Sequence, residues 1–312
     1  MLTVINDTHL GAIRSSGTTP ASQWALRQDV LKQFEQLLPK QGDLLINGDL
    51  LDAANIPISD VLRAYEILTD WLHTHTTSVL YNAAGNHDLP RTSTTLSSFQ
   101  FLGKLLSRNF PERYVHIEQP MMTEHGYVIP HCINQDVFDA ALEAVPPCDV
   151  LYLHCNVANP FAQQSDQSLN ISLEQVAKVP AKHIVCAHEH AHRKVGKVLL
   201  PGNQIATSVA DWLSGQDKFM TVVSDGKPNL VKVASLSDHF IELDWRNLVD
   251  TPHKFIRVTG DAAQEEAHEV VNALAAYRRR SDAFVITNAV QITSAEGLST
   301  DFESTLEAAK GF

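Results

Sequence analysis

Five short apolar runs, Leu2–Asn6, Asp43–Asn47, Ser78–Ala83, Asp149–Leu153 and His183–Ala187, each give way at once to side chains that can bind a metal. Each run is too short for a helix, is rich in Val, Ile or Leu, and is closed by polar residues or glycine, which predicts five strands. Between them, Ala25–Leu38 and Ser59–His73 carry apolar residues at helical spacing, with Ser59 placed to cap the second helix. Strands alternating with helices predict an α/β fold built in layers. In such a sheet, ligands collect outside the carboxyl ends of the strands. At those ends stand Asp7-Thr-His9, Gly48-Asp49, Gly85-Asn86-His87-Asp88, His154 and His188-Glu-His190.

Two divalent cations need about four protein ligands each, and a carboxylate to hold them roughly 3.5–4 Å apart. Asp7, His9 and His190 are expected to bind one ion, Asn86, His154 and His188 the other, and Asp49 to bridge them. Residues i and i+2 just past a strand keep their side chains on a common side, which suits Asp7/His9 and His188/His190. His192 continues the second alternation, so a 190/192 pair is the alternative. Carboxylate, imidazole and amide donors without thiolate favour Mn²⁺, with Fe²⁺, Zn²⁺ or Mg²⁺ as alternatives. Taken singly, each motif has an ordinary reading, because a strand-terminal Asp is often a turn former and a lone His is usually structural. Five such motifs in chain order, each at the same kind of strand end, outweigh those readings.

Apolar residues make up 44% of the 312 and charged residues 19%, the balance of a globular chain. No window approaches the ~18 consecutive apolar residues of a membrane span. Met1 leads into an apolar strand without a basic leader, so no signal peptide and no membrane are expected. A cytoplasmic location, bacterial or in a phage-infected host, follows. Cys132, Cys148, Cys155 and Cys186 form no C-x-x-C, which predicts reduced thiols rather than a zinc finger. A net charge of −12 weighs against a general nucleic-acid coat protein. It does not exclude a nuclease, whose metals and local Lys/Arg reverse the potential at the site.

After about residue 194 the pattern turns to strands and turns, at Lys197–Leu200, Gln204–Val209, Phe219–Val223 and Leu230–Ala234. It shifts again at Asn247–Thr251. Phe255–Thr259, a helix from Ala262 to about Arg279, and Phe284–Thr293 then read as a β-α-β unit. This predicts a catalytic domain over residues 1–246 and a small domain over 247–312. The polar stretches Gly11–Gln23, Arg91–Ser98 and Asn159–Asn170 are surface loops, placed to rim a cleft.

The ordered motifs from residue 7 to 190 resemble the signature of the calcineurin-like metallophosphoesterases. Within that superfamily the chain is most similar to the SbcD-type DNA nucleases, phage-encoded relatives included. Asp7-Thr-His9-Leu-Gly11, Gly48-Asp-Leu-Leu-Asp52 with Pro57 nearby, and the segment Leu199–Ser208 look like that branch; Ala187 departs from the glycine usual there. The resemblance implies a layered β-sandwich flanked by helices, with the small C-terminal α/β unit as a DNA-contacting cap. It implies a dinuclear-metal-dependent DNA exonuclease, with endonuclease activity as an accompaniment, in which a metal-bridging hydroxide hydrolyses the phosphodiester. His87 would be the general acid, and Asp88 would accept a hydrogen bond from the His87 ring.

DNA, single- or double-stranded, is the implied partner, and a homodimer is compatible with the resemblance. Nothing after the β-α-β unit resembles the segment that docks an SbcC-type ATPase, so a stand-alone enzyme is expected. Arg193, Lys194, Arg278, Arg279 and Arg280 are candidate phosphate contacts; the ordinary reading of the last three is a solvated helix end, well placed on the dipole. The first alternative is a small-nucleotide or cyclic-nucleotide phosphodiesterase or phosphatase. A protein phosphatase is disfavoured because Asp49-Leu-Leu-Asp52 lacks the Asp-Arg-Gly continuation. A non-catalytic scaffold is the third reading, opposed by the cost of burying so many carboxylates and imidazoles without a metal.

Overall fold

All five apolar runs form strands in the computed structural model, which describes residues 1–90, 95–159, 168–213, 217–233, 240–293 and 299–301. The chain divides into two units, Met1–Ala12 with Arg27–Leu236, and Ile13–Leu26 with Ser237–Phe312. In the first unit, β1 (Leu2–Ile5), β2 (Asp43–Asn47), β3 (Leu80–Ala83) and β4 (Tyr114–Ile117) lie parallel and in sequence. Helices α1 (Pro20–Leu37), α2 (Ile58–Thr74) and α3 (Ser98–Asn109) connect them. The second sheet begins with the hairpin β5 (Met121–Thr123) and β6 (Gly126–Ile129). After α4 (Gln135–Glu143) comes β7 (Cys148–His154), parallel to β6. A short parallel pair, β8 (Asn156–Val157) and β9 (Asn170–Ile171), precedes α5 (Leu173–Lys178) and β10 (Ala181–Ala187), which lies parallel to β7. The hairpin β11 (Arg193–Val195) and β12 (Val198–Leu200) completes this sheet. After α6 (Val209–Leu213), the hairpin β13 (Lys218–Ser224) and β14 (Lys227–Val233) returns to the first sheet, antiparallel to β1.

Two six-stranded mixed sheets result, and their facing surfaces share one apolar core. Leu2, Val4, Leu45 and Tyr81 of the first sheet meet Val128, Val150, Tyr152 and Val185 of the second. The period-2 alternation of strands sends neighbours the other way: Leu151, Leu153, Ile184 and Cys186 pack beneath Phe138 and Leu142 of α4 and Val176 of α5. Strands buried on both faces explain why these runs read as continuous apolar stretches. The arrangement is the layered α/β fold read from the sequence. Among the described residues no helix is long and apolar enough to cross a membrane.

In the second unit, β15 (Phe240–Asp244), β16 (Phe255–Thr259) and β18 (Val285–Asn288) form a parallel sheet, and in a second one β19 (Gln291–Thr293) lies between β17 (Asp261–Ala263), parallel to it, and β20 (Ser299–Asp301), antiparallel to it. Helix α7 (Ala267–Arg280) buries Val270, Leu274 and Tyr277 in the unit's own core.

Several local expectations change. Helix α2 starts one residue before Ser59 and is preceded by Pro57 in an extended conformation; the Ser59 hydroxyl bonds Asp60 rather than a backbone amide. The stretch Gln204–Val209 is not a strand. Gln204 turns inward instead, accepting from the Asn6 amide and donating to the Phe219 carbonyl, which takes the segment out of register with any sheet. The C-terminal helix begins at Ala267, because residues 261–263 pair with β19. Phe284–Thr293 splits into two strands of different sheets where the Ala289 amide donates to Val258. Residues 91–94 and 160–167 of the expected loops, and Ala234, lie outside the described residues.

Candidate metal centre

The parallel strands β1, β2 and β3, and β7 and β10 of the facing sheet, deliver their carboxyl ends to one place. The turns that follow are tight. Asp7, His9, Asp49 and His188 have φ of 52°, 47°, 50° and 90°, four of the seven non-glycine residues with positive φ among those described. The left-handed region costs an L-residue roughly 1–2 kcal/mol, so such residues persist only where the surroundings hold them. Here the Asp7 amide donates to the Gly48 carbonyl at 3.1 Å, His9 to Asp49 at 3.0 Å and Leu10 to Leu50 at 2.8 Å, stitching the first two ligand turns together. Glycine is required beside them. A Cβ on Gly48 would lie 2.0 Å from His154 Nδ1, and one on Gly85 2.1 Å from Asp49 Oδ1.

Asp7, His9 and His190 form one cluster of potential ligand atoms, and Asp49, His154 and His188 another, with all atoms of each within 4.8 Å of one another. Asn86 Oδ1 stands 3.0 Å from both His154 Nε2 and His188 Nδ1. Asp49 Oδ2 lies 3.3 Å from His154 Nε2 and 3.9 Å from His9 Nε2, between the two groups. Asp7 accepts from the His188 amide at 3.0 Å and from the Asn6 side chain at 2.7 Å. His192 is not part of the group; its Nδ1 bonds the Leu200 carbonyl at 2.8 Å, so 188 and 190 are the pair that converges.

The tautomers decide whether a cation fits. His190 Nδ1 is 2.6 Å from Asp211 Oδ1, which keeps the Nδ1 proton there and leaves Nε2 as a lone pair. His9 Nδ1 faces Asp52 Oδ1 at 3.4 Å, again leaving Nε2 as the lone pair. These two Nε2 atoms are 3.1 Å apart. His154 Nδ1 points at the Asn47 carbonyl at 3.2 Å, so its Nε2 lone pair confronts the oxygens of Asn86 and Asp49. Acceptors therefore face acceptors between His9 and His190 and between His154 and the oxygens of Asn86 and Asp49, an arrangement that a divalent cation, or protons in its place, must relieve. Burial pulls His154 down, but the Asp49 carboxylate outweighs it and raises the imidazole to about 10. Burial likewise opposes ionised Asp49, yet His154 and then His9 hold it well below the usual carboxylate range. A carboxylate, imidazole and amide set without thiolate fits hard or borderline divalent ions.

His87 donates from Nδ1 to the Asp52 carbonyl at 2.6 Å, with its ring edge-on to His9 at 4.9 Å. The expected bond from this ring to Asp88 does not form. Asp88 instead accepts from the backbone amides of Gly85, Leu51 and Leu50, at 2.8, 2.9 and 3.3 Å, and is fully enclosed. Burial, with the charge of Asp49 behind it, pushes the Asp88 carboxyl up to about 7. Its place is to hold the third ligand turn against the second.

The cationic candidates separate. Arg193 bonds both oxygens of Glu189 and the Val157 carbonyl. Arg278 donates to the Ile286 carbonyl; Arg280 binds Asp250 and the Leu248 carbonyl and lies over the Tyr277 ring. Lys194, Arg278, Arg279 and Arg280 are all exposed, and Arg193 is half-buried. Asp52, Asp211 and His131 are the neighbours that sequence reasoning passed over. Ser208-Val-Ala-Asp211 does carry the Ser-x-x-Asp signal of a helix start, and the Asp211 amide donates to the Ser208 hydroxyl at 3.1 Å. His131 follows β6 at the same sheet edge, and burial, then the charge of His154, pushes it down to about 4.

No curated protein matches the chain. Solved structures that resemble it include an archaeal phosphodiesterase, 11% identical, over 74% of this chain and 99% of that one with a TM-score of 0.35. Another is the phosphopantetheinyl hydrolase of Mycobacterium tuberculosis, 14% identical, over 68% of this chain and 91% of that one with a TM-score of 0.40. A family model described as calcineurin-like phosphoesterase matches residues 1–192. With that match covering more than half of the chain, and its span holding every ligand candidate, the protein belongs to the calcineurin-like phosphoesterase family.

Proposed function

We propose that this protein is a phosphodiesterase using two divalent cations, Mn²⁺ first among them. The observation that carries the reading is Asp49, one carboxylate oxygen within 3.3 Å of His154 Nε2 and 3.9 Å of His9 Nε2. Asp7, His9 and His190 would hold one ion, Asn86, His154 and His188 the other, and Asp49 both. Bound there, the cations would supply acidity to a shared water and neutralise charge on the phosphoryl oxygens. The chain's own groups do the rest. His87 donates its Nδ1 proton to the Asp52 carbonyl, so a proton given to the leaving oxygen comes from Nε2 and requires both ring nitrogens to be protonated. The strained ligand turns keep the carboxylates aimed before substrate arrives.

A DNA end is the substrate we infer first, on the resemblance of Gly48–Asp52 and Leu199–Ser208 to the SbcD-type nucleases, with Lys194, Arg278, Arg279 and Arg280 as exposed cations available to phosphate. A small or cyclic nucleotide is the second reading. It is favoured by the net charge of −12 and by the bonding of Arg193 to Glu189 and the Val157 carbonyl. One assay separates them: protein with Mn²⁺ is offered labelled linear duplex, single-stranded DNA, cyclic dinucleotides and bis-p-nitrophenyl phosphate. Mononucleotides released from DNA support the nuclease, and hydrolysis confined to small esters supports the second reading. Absence of turnover on every substrate, with both metals bound, would overturn the proposal.

A further inference from the structure

At the opposite ends of the strands that carry the centre, a second set of metal-binding side chains joins the two sheets. Asp43 opens β2, and Glu124 and His125 form the turn between β5 and β6. One ligand atom from each of the three lies within 4.8 Å of the others. His125 Nε2 stands 2.6 Å from Asp43 Oδ2, while Asp43 Oδ1 accepts from the Val79 amide at 2.7 Å, which fixes the carboxylate. The turn is held as firmly. Thr123 Oγ1 accepts from the His125 amide at 3.2 Å and donates to the Gly126 carbonyl at 2.8 Å, and the Tyr152 hydroxyl donates to the His125 carbonyl at 3.1 Å. Tyr81 adds an independent observation. It pairs with Leu45, which shares a face of β2 with Asp43 by the period-2 alternation. Its side chain is only 6% exposed, and its ring lies edge-on to His125 at 6.1 Å. The Tyr81 hydroxyl has no hydrogen-bond partner among the described residues. Burial, then the charges of Asp43 and Glu124, push it up to about 12, so it faces those carboxylates as a neutral phenol.

We infer that Asp43, Glu124 and His125 form a separate divalent-cation site, taking Zn²⁺, with the Tyr81 hydroxyl bonded to a water that completes the shell. A His–Asp hydrogen bond alone accounts for the 2.6 Å contact, but it leaves two carboxylates crowded together and a buried hydroxyl unpaired beside them. A cation with its water relieves both. One imidazole, two carboxylates and a water make a four-coordinate set without thiolate, which suits Zn²⁺. The ion takes the place of the hydrogen between His125 Nε2 and Asp43, and the ring proton then sits on Nδ1. A cleft of about 360 Å³ lined by Met1, Glu124, His125 and Asp225 gives entry from solvent. Bound there, the ion cross-links β2 of the first sheet to the β5–β6 hairpin of the second. No residue is shared with the Asp49 centre, so the site stands apart from the two-metal reading.

The test is Zn²⁺ binding to metal-stripped full-length protein, counted by elemental analysis after desalting and measured by competition with a chelator. Glu124→Gln changes an exposed turn residue and leaves the Asp43–His125 bond in place. It should bind one Zn²⁺ fewer than the wild type, and an equal Tm of the two proteins in chelator shows that the variant has folded. His125→Asn should lose the same ion. Each should weaken that ion by more than about 100-fold, since residues that only orient a ligand are worth about 10–100-fold, and Tyr81→Phe should weaken it by about 10-fold. With Mn²⁺ supplied, Glu124→Gln should hydrolyse bis-p-nitrophenyl phosphate at the wild-type rate. Asp49→Ala should keep the ion that Glu124→Gln loses. A wild type with a single Zn²⁺, lost in Glu124→Gln and kept in Asp49→Ala, would uphold this site while removing the two-metal centre. Equal Zn²⁺ counts and affinities in the wild type and Glu124→Gln would overturn the site and leave a plain ion pair, and so would an Asp49→Ala protein that binds no Zn²⁺.

Discussion

Replacing Gly85 by alanine tests the bridging position with a single methyl group. Gly85 has an ordinary backbone conformation, so alanine is not strained there; the obstacle is space alone. The new Cβ would stand 2.1 Å from Asp49 Oδ1 and 2.3 Å from the Asp49 backbone nitrogen. Moving from 2.1 Å to an ordinary 3.4 Å contact requires about 1.3 Å, and the backbone contact means that rotating the side chain cannot supply it. The Asp49 turn must move bodily, away from His154 and His9. Overpacking of this kind costs roughly 1–3 kcal/mol, and a ~1 Å displacement of a reacting group costs on the order of 10²-fold in rate. Gly85→Ala is therefore expected to fold with a modestly lowered Tm, to lose both cations together, and to turn over bis-p-nitrophenyl phosphate at least about 10²-fold more slowly. Gly196→Ala is the control, since nothing lies within 4 Å of its Cβ and its φ of 59° brings only backbone strain. It should lose comparable stability and keep both metals, measured by elemental analysis after desalting. A Gly85→Ala protein with two bound cations and wild-type turnover would refute the claim that Asp49 bridges.

His87→Ala should retain both cations and lose about 10²–10⁴-fold in turnover, because the proton donor goes while the ligands stay; full activity would remove His87 from the chemistry. Chelation should lower the Tm, since an ion present at 100 times its dissociation constant stabilises the folded state by about 2.7 kcal/mol, and an unmoved Tm would mean that no site is occupied. Arg193→Ala should destabilise by about 1 kcal/mol through its lost bonds to Glu189 and Val157. It should leave the salt dependence of any DNA binding unchanged; a slope reduced by about one unit would place Arg193 on a phosphate instead.

The strands and the candidate ligands were legible together, because a short apolar run and the polar residues that close it are local features of the chain. That Asp7, His9, Asp49, Asn86, His154, His188 and His190 would converge needed only the rule that ligands gather beyond the carboxyl ends of strands. What lies behind those ligands was not legible. Asp88 follows His87 directly, which suggested that the two bond, yet the turn sends Asp88 inward to three backbone amides and leaves His87 to the Asp52 carbonyl. Asp211 stands 21 residues from His190, and only the packing of α6 carries it there. The basic residues divide in the same way. Arg193, Arg278 and Arg280 looked alike as charges; each donates to a carbonyl, but only Arg193 is half-buried while Arg278 and Arg280 stay exposed at the helix end. Sequence by itself determined which atoms could bind a cation, since donor chemistry belongs to the residue type. Tertiary structure decided how those atoms are oriented and which charges remain free, since both depend on contacts between segments far apart in the chain.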